Sequence, residues 1–164
     1  MDIIIREWDP EKDMDFFEHC QYEAYKGTVK NVDKLTEDEL RKKYEKFLED
    51  DEIYVSEPEH SVFIAEHDGK KVGLLWVCNR QPFWRFDEPL TWIYNIYVIP
   101  EYRRRGLGKM FIEKAEEFTE EERLDKIALH VIEWNKAARS LYESAGYELV
   151  HSHNESRFYE KILR

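Results

Sequence analysis

The stretch that most limits how this chain can fold runs from Thr91 to Phe118. Thr91 to Ile99, TWIYNIYVI, is almost wholly apolar and β-branched or aromatic, so it predicts a central strand covered on both faces. Pro100 stops it, because proline cannot donate to a sheet ladder. From Leu107 the period changes: Leu107, Met110, Phe111, Ala115 and Phe118 form one stripe of an amphipathic helix. Strand and helix are joined by Glu101-Tyr-Arg103-Arg104-Arg105-Gly106-Leu107-Gly108-Lys109, a basic loop with two glycines.

Glycines let a backbone approach a ligand without side-chain obstruction, and a helix start aims unpaired N–H groups and a positive dipole end at it. The loop therefore predicts a site for a pyrophosphate, with Arg103, Arg104, Arg105 and Lys109 supplying charge. An arginine-rich surface turn with incidental glycines fits this segment alone as well. Neither G-x-x-x-x-G-K-[ST] nor G-x-G-x-x-G is present, since position 111 is Phe111. The chain has 25 Lys plus Arg against 36 Asp plus Glu, a net charge of −11. Nucleic acid and acidic membranes reward a continuous basic face, so neither is an expected partner, and any polyanion needs a local basic site.

Elsewhere Ile3 to Trp8 reads as a strand ended by Asp9-Pro10, and Met14, Phe17, Cys20 and Ala24 as a helix stripe. Thr36 and Glu39 predict a capping box for a second helix with Leu40, Tyr44, Phe47 and Leu48 inward. His67-Asp68-Gly69-Lys70 separates two apolar runs and predicts a hairpin. Lys126 to Ile132 reads as a buried strand, and Asn135 caps a helix whose inner face is Ala138, Leu141, Tyr142 and Ala145. Gly146 takes the left-handed position past its end. Tyr147 to Val150 and Arg157 to Leu163 close the sheet, with His151 to Ser156 as a polar turn. A 164-residue chain with this order predicts a single domain over 1–164, of α/β (α+β) class. Three layers are expected, with a mixed, mostly antiparallel central sheet flanked by helices.

A second motif, Asn135-x-x-Ala138-x-x-x-Tyr142-x-x-x-Gly146-Tyr147, again follows a buried strand. With it the chain resembles the GNAT superfamily of acyl-CoA-dependent N-acyltransferases. The family's loop reads [QR]-x-x-G-x-[GA], matched by Arg103, Gly106 and Gly108, and its fourth helix carries the asparagine and tyrosine matched by Asn135 and Tyr142. The two motifs span residues 91–147. The resemblance implies acetyl-CoA as cosubstrate and direct acetyl transfer to a primary amine of a small molecule, peptide or protein. The pantetheine arm would lie between splayed strands, bonded by the backbone of Tyr97 and Val98. The loop Arg103, Arg104, Arg105, Gly106, Leu107, Gly108 and Lys109 would hold the pyrophosphate, Asn135 and Ala138 would border the arm, and Val98 N–H would meet the oxyanion. Tyr142 would protonate the departing thiolate.

One position departs from the pattern: Trp92 stands where many members have a glutamate base. Glu133 is the candidate replacement, with His130 beside it and an external base also open. The missing glutamate keeps a non-catalytic acyl-CoA sensor as the alternative. No metal is expected, since His151 and His153 lack a third ligand in sequence. Phe83, Trp84, Phe86 and Trp92 read either as an acceptor wall shared with Tyr22 and Tyr25 or as core. The acidic stretches Glu49 to Glu52 and Glu116, Glu117 and Glu120 to Glu122 read as solvated faces, and Cys20 and Cys78 as reduced, buried thiols. MDIIIREW lacks the apolar stretch of a signal peptide, so a cytoplasmic location is expected, and a homodimer is left open.

Overall fold

A computed structural model describes residues 1–51, 53 and 55–164, so Glu52, at the end of one acidic run, lies outside the described residues. The elements are β1 (Ile4–Glu7), α1 (Pro10–Lys26), α2 (Glu37–Asp50), β2 (His60–His67), β3 (Lys70–Arg80) and β4 (Leu90–Val98). They continue through α3 (Leu107–Glu121), β5 (Lys126–Ile132), α4 (Lys136–Ser144), β6 (Glu148–His153) and β7 (Ser156–Ile162). The strands form one sheet in the order β1-β2-β3-β4-β5-β7-β6. All neighbours are antiparallel except β4 and β5.

Local chemistry accounts for the punctuation. Asp9 accepts from Glu11 N at 3.0 Å and caps α1. At α2 both halves of the capping box form, Glu39 N to Thr36 Oγ1 at 3.1 Å and Thr36 N to Glu39 Oε1 at 3.0 Å. Asp68 (φ 49°) and Gly69 (φ 79°) both take positive φ. Their backbone twist matches that of the flanking strands, which is why a two-residue loop suffices between β2 and β3.

Helices cover both faces. On β3, a Cβ added to Gly73 would meet Phe111 of α3, while the Trp76 ring, on the other face by the two-residue alternation, lies 5.2 Å from Phe17 of α1. The main core unites β2, β3, β4 and β5 with Phe17 and Cys20 of α1 and with Leu107, Phe111, Ile112, Ala115 and Phe118 of α3.

Three expectations change. Phe47 and Leu48 are 48% and 49% exposed, because α2 meets α1 through its first turns, where Leu40 and Tyr44 pack on Tyr22. β6 continues through His153, so the polar turn shrinks to Asn154 and Glu155, with Asn154 at φ 52°. Glu116 is not a solvated acid: its carboxylate binds Lys161 Nζ at 2.6 Å, and the same ammonium donates to Ala145 O at 2.9 Å, tying α3 and the end of α4 to β7.

Candidate active site

The site begins where the sheet comes apart. β4 and β5 pair only through Thr91, Trp92 and Ile93 against Ile127, Ala128 and Leu129. Immediately beyond, Trp76 of β3 opposes Asn95 and Val77 opposes Ile93, leaving Tyr94 as the extra residue of a bulge in β4. A bulge bends the strand that carries it, and here it coincides with the last parallel rung. The outer halves of β4 and β5 therefore diverge.

Backbone alternation decides which groups face that gap. Ile99 N donates to Val72 O at 3.0 Å, so Ile99 and, two residues back, Tyr97 bond toward β3. A Cβ added to Gly73 of β3 would lie 2.9 Å from Tyr97 O, in keeping with that direction. Ile96 and Val98 then turn their N–H and C=O groups toward β5, where no strand pairs with them. This corrects the expected pair: Tyr97 has its backbone committed to β3, and Ile96 joins Val98 at the gap. The Tyr97 side chain instead stands 6.2 Å, ring to ring, from His19 of α1.

At the end of β4 the chain makes a short turn, Pro100–Tyr102, and enters the basic loop. Arg104 (φ 62°) and Gly106 (φ 87°) both adopt left-handed backbone. Gly106 is the N-cap of α3, and no side chain caps that end. The first N–H of the helix to find an intrahelical partner is that of Met110, bonded to Gly106 O at 3.1 Å, so the amides of Leu107, Gly108 and Lys109 point out of the helix start. Arg103 is turned back, its Nε donating to Val98 O at 2.9 Å, whereas Arg104, Arg105 and Lys109 are exposed. Tyr102 braces the loop: its hydroxyl sits 2.7 Å from His67 Nδ1, and the Arg105 guanidinium lies 4.8 Å from its ring centre. Neither His67 nor Tyr102 stood out in the sequence.

The two glycines have different reasons. A Cβ at Gly106 would meet nothing within 4 Å, so its positive φ is what calls for glycine. A Cβ at Gly108 would fall 2.9 Å from Leu141 Cδ2, so this glycine lets α4 close against α3. Asn135 caps α4 through Oδ1, which accepts from Ala138 N at 3.1 Å. Gly146 takes the left-handed conformation, φ 92°, past its end. Tyr142 is buried, and burial alone raises its phenol well above the ordinary value of 10. Among the described residues its hydroxyl has no hydrogen-bond partner, and its ring lies 5.7 Å from that of Tyr147.

Of the base candidates, Glu133 is engaged: Oε2 binds Arg157 Nη2 at 2.6 Å, and its backbone carbonyl accepts from Arg139 Nη1 at 3.1 Å. His130 is the first residue of β5 past the last rung, with Nε2 2.7 Å from Ser156 Oγ. The aromatic group divides. Phe86 and Trp92 are core, packed with Leu90, Ala128 and Phe158, whereas Tyr22 and Tyr25 belong to the α1–α2 cluster. Trp84 remains 50% exposed, with His151 and His153 facing its ring at 5.4 and 6.4 Å. No cluster of three metal-ligating side chains occurs among the described residues, and no helix of theirs is long and apolar enough to cross a membrane. Between α1 and α2 opens a cavity of about 650 Å³, carrying Asp15, Glu18, Glu45 and Asp51 against Arg41.

The sequence matches the family model for acetyltransferase (GNAT) over residues 14–147. An uncharacterized N-acetyltransferase of Archaeoglobus fulgidus is 31% identical over 133 residues, 80% of this chain and 84% of that one. The thialysine N-epsilon-acetyltransferase of Bos taurus is 38% identical over 55 residues, about a third of each chain. Among solved structures, the PaiA N-acetyltransferase of Thermoplasma acidophilum in complex with coenzyme A superposes with a TM-score of 0.73 at 22% identity, covering 99% of both chains. The chain belongs to the GNAT acetyltransferase family and is an acyltransferase enzyme of N-acetyltransferase type.

Proposed function

We propose that this enzyme transfers an acetyl group from acetyl-CoA directly to a primary amine, and that the acceptor is cationic. The observation that carries the reading is the continuity of unpartnered donors along one edge. Ile96 and Val98 present their backbone to the gap, and Leu107, Gly108 and Lys109 present theirs beyond it. This is donor chemistry for an amide-bearing arm followed by a diphosphate, and the residues present fit acetyl-CoA. Val98 and Ile96 bond the arm, and the amides of the α3 start with Arg104, Arg105 and Lys109 hold the diphosphate. Asn135 and Ala138 border the arm from the start of α4.

Binding both reactants side by side supplies much of the acceleration. Ile96 N–H, the gap-facing donor nearer the bulge, stabilises the oxyanion that develops on the thioester carbonyl, while Val98 bonds the arm on the diphosphate side. Tyr142, kept protonated by burial, gives its proton to the departing thiolate. Glu133 is held by Arg157 through Oε2. The acidic cavity between α1 and α2 favours cationic acceptors, as does the net charge of −11.

The test is calorimetry with acetyl-CoA, followed by thiol release with a panel of amines that starts with thialysine and linear diamines. Binding, turnover with at least one cationic amine, and a Tyr142→Phe variant with unchanged coenzyme affinity but kcat lower by about 10²-fold are expected. Coenzyme binding without any amine-dependent thiol release overturns the transfer reading, and a Tyr142→Phe enzyme as fast as the parent removes that residue from it.

A further inference from the structure

The strand that carries the family's usual carboxylate lacks a titratable group at that point, and the neighbouring strand has one. Trp92 pairs with Ala128 across the parallel rungs, and both lie in the aromatic cluster with Phe86, Leu90 and Phe158. His130 follows two residues after Ala128, so its side chain leaves the same face of the sheet, whereas Leu129 and Val131 turn into the main core with α3. It is also the first residue of β5 beyond the last rung, level with the bulge at Tyr94. The imidazole thus stands at the apex of the gap, on the face opposite α3.

We propose that His130 is the general base of the acetyl transfer, taking the acceptor's proton on Nδ1 while Nε2–H donates to Ser156 Oγ. The assignment rests on the acetyltransferase reading above. Ser156 Oγ lies 2.7 Å from Nε2, and in the tautomer this role requires it accepts the Nε2–H, which leaves the Nδ1 lone pair available. The Phe158 ring, 5.2 Å away, holds the imidazole in place. Nearby charges are paired with one another, Arg157 with Glu133 and Lys30 with Glu155, and none is bonded to His130. Partial desolvation beside Phe158 keeps its pKa below the ordinary 6.5 although the residue as a whole is exposed, so the neutral form prevails at pH 7.

The protons balance. His130 Nδ1 takes one proton from the acceptor ammonium, the freed lone pair forms the C–N bond, and the C–S bond breaks. Tyr142 protonates the thiolate, and a second amine proton, lost as the amide forms, returns to Tyr142. The proton on His130 then leaves to solvent.

The experiment compares the parent, His130→Gln, His130→Glu and Ser156→Ala, using the amine of the panel above that the parent uses best. Coenzyme affinity and melting temperature are followed in parallel. His130→Gln is expected to lower kcat by about 10²-fold or more with coenzyme affinity unchanged. His130→Glu restores part of the rate, with the acid limb of the kcat–pH profile moved to lower pH, and Ser156→Ala lowers kcat and displaces the same limb. The parent's limb lies below pH 6.5 and disappears in His130→Gln. A His130→Gln enzyme within threefold of the parent, or a His130→Glu enzyme no faster than His130→Gln, overturns the assignment while leaving the transferase reading intact. A parent that binds coenzyme and acetylates no amine overturns both.

Discussion

The contrast between Gly106 and Gly108 separates two reasons for glycine in one loop. In Gly106→Ala, the new Cβ has open space around it but must sit at φ 87°. That costs a non-glycine residue about 1–2 kcal/mol. The free loop can relieve the strain by leaving the left-handed region, which swings the amides of Leu107, Gly108 and Lys109 off their common direction. A bound diphosphate needs them back, so the strain reappears as lost affinity, about 5- to 30-fold at 1.4 kcal/mol per tenfold. Gly108→Ala has an ordinary helical backbone and a contact of 2.9 Å with Leu141 Cδ2, the far end of a flexible side chain. Alanine improves the helix by about 1 kcal/mol, which offsets the few tenths of an ångström that Leu141 must yield. Coenzyme affinity should then stay within about twofold of the parent. Calorimetric titration of both variants with coenzyme A, alongside thermal melts, reads both effects. A Gly106→Ala protein that binds like the parent, or a Gly108→Ala protein that loses more affinity than Gly106→Ala, would refute this division of roles.

Further outcomes follow from groups away from the loop. Asp13 is fully buried, gripped by both Arg6 terminal nitrogens at 2.8 and 3.0 Å and by Lys71 at 2.7 Å, so Asp13→Asn should cost about 3 kcal/mol in chemical denaturation. The Arg6 guanidinium holds that carboxyl below the usual range, so its contribution is complete above the unfolded pKa of about 4 and disappears only as pH falls well below it. A parent-like unfolding midpoint for Asp13→Asn would contradict this. Among the described residues the Tyr147 hydroxyl is buried without a hydrogen-bond partner, so Tyr147→Phe should stabilise by about 1 kcal/mol, and a lower melting temperature would count against it. Cys20 and Cys78 are buried with thiols pushed up to about 12 and about 11, so iodoacetamide at neutral pH should leave the native protein unlabelled, as a mass spectrum would show.

The sequence displayed most of the architecture because its elements are marked by local chemistry. The Thr36–Glu39 capping box, the Asp68-Gly69 turn and the Asn135 cap each act within a few residues, and each forms as its pattern suggests. The strand–loop–helix order around Gly106 was legible for the same reason. What escaped depends on partners distant in the chain. The bulge at Tyr94 exchanges the expected Tyr97 for Ile96 at the gap, and only the register with β3 reveals it. The Arg6–Asp13–Lys71 tie, the Tyr102–His67 brace and the capture of Glu133 by Arg157 likewise join residues whose spacing carries no period. Phe47 and Leu48 kept helical spacing yet stay exposed, since periodicity gives a face and not what covers it.

Three parallel rungs hold the β1–β4 half of the sheet to the β5–β7–β6 half. Beyond the end of α1, Trp134 Nε1 donates to Gly27 O at 2.9 Å and Lys30 pairs with Glu155, forming a second clasp between the halves. A molecule that bonds Ile96 and Val98 from within the gap thus completes the seam as a removable eighth strand. Amide exchange at those positions should slow when it enters, and the enzyme's resistance to heat becomes a direct gauge of how much of its cosubstrate is aboard.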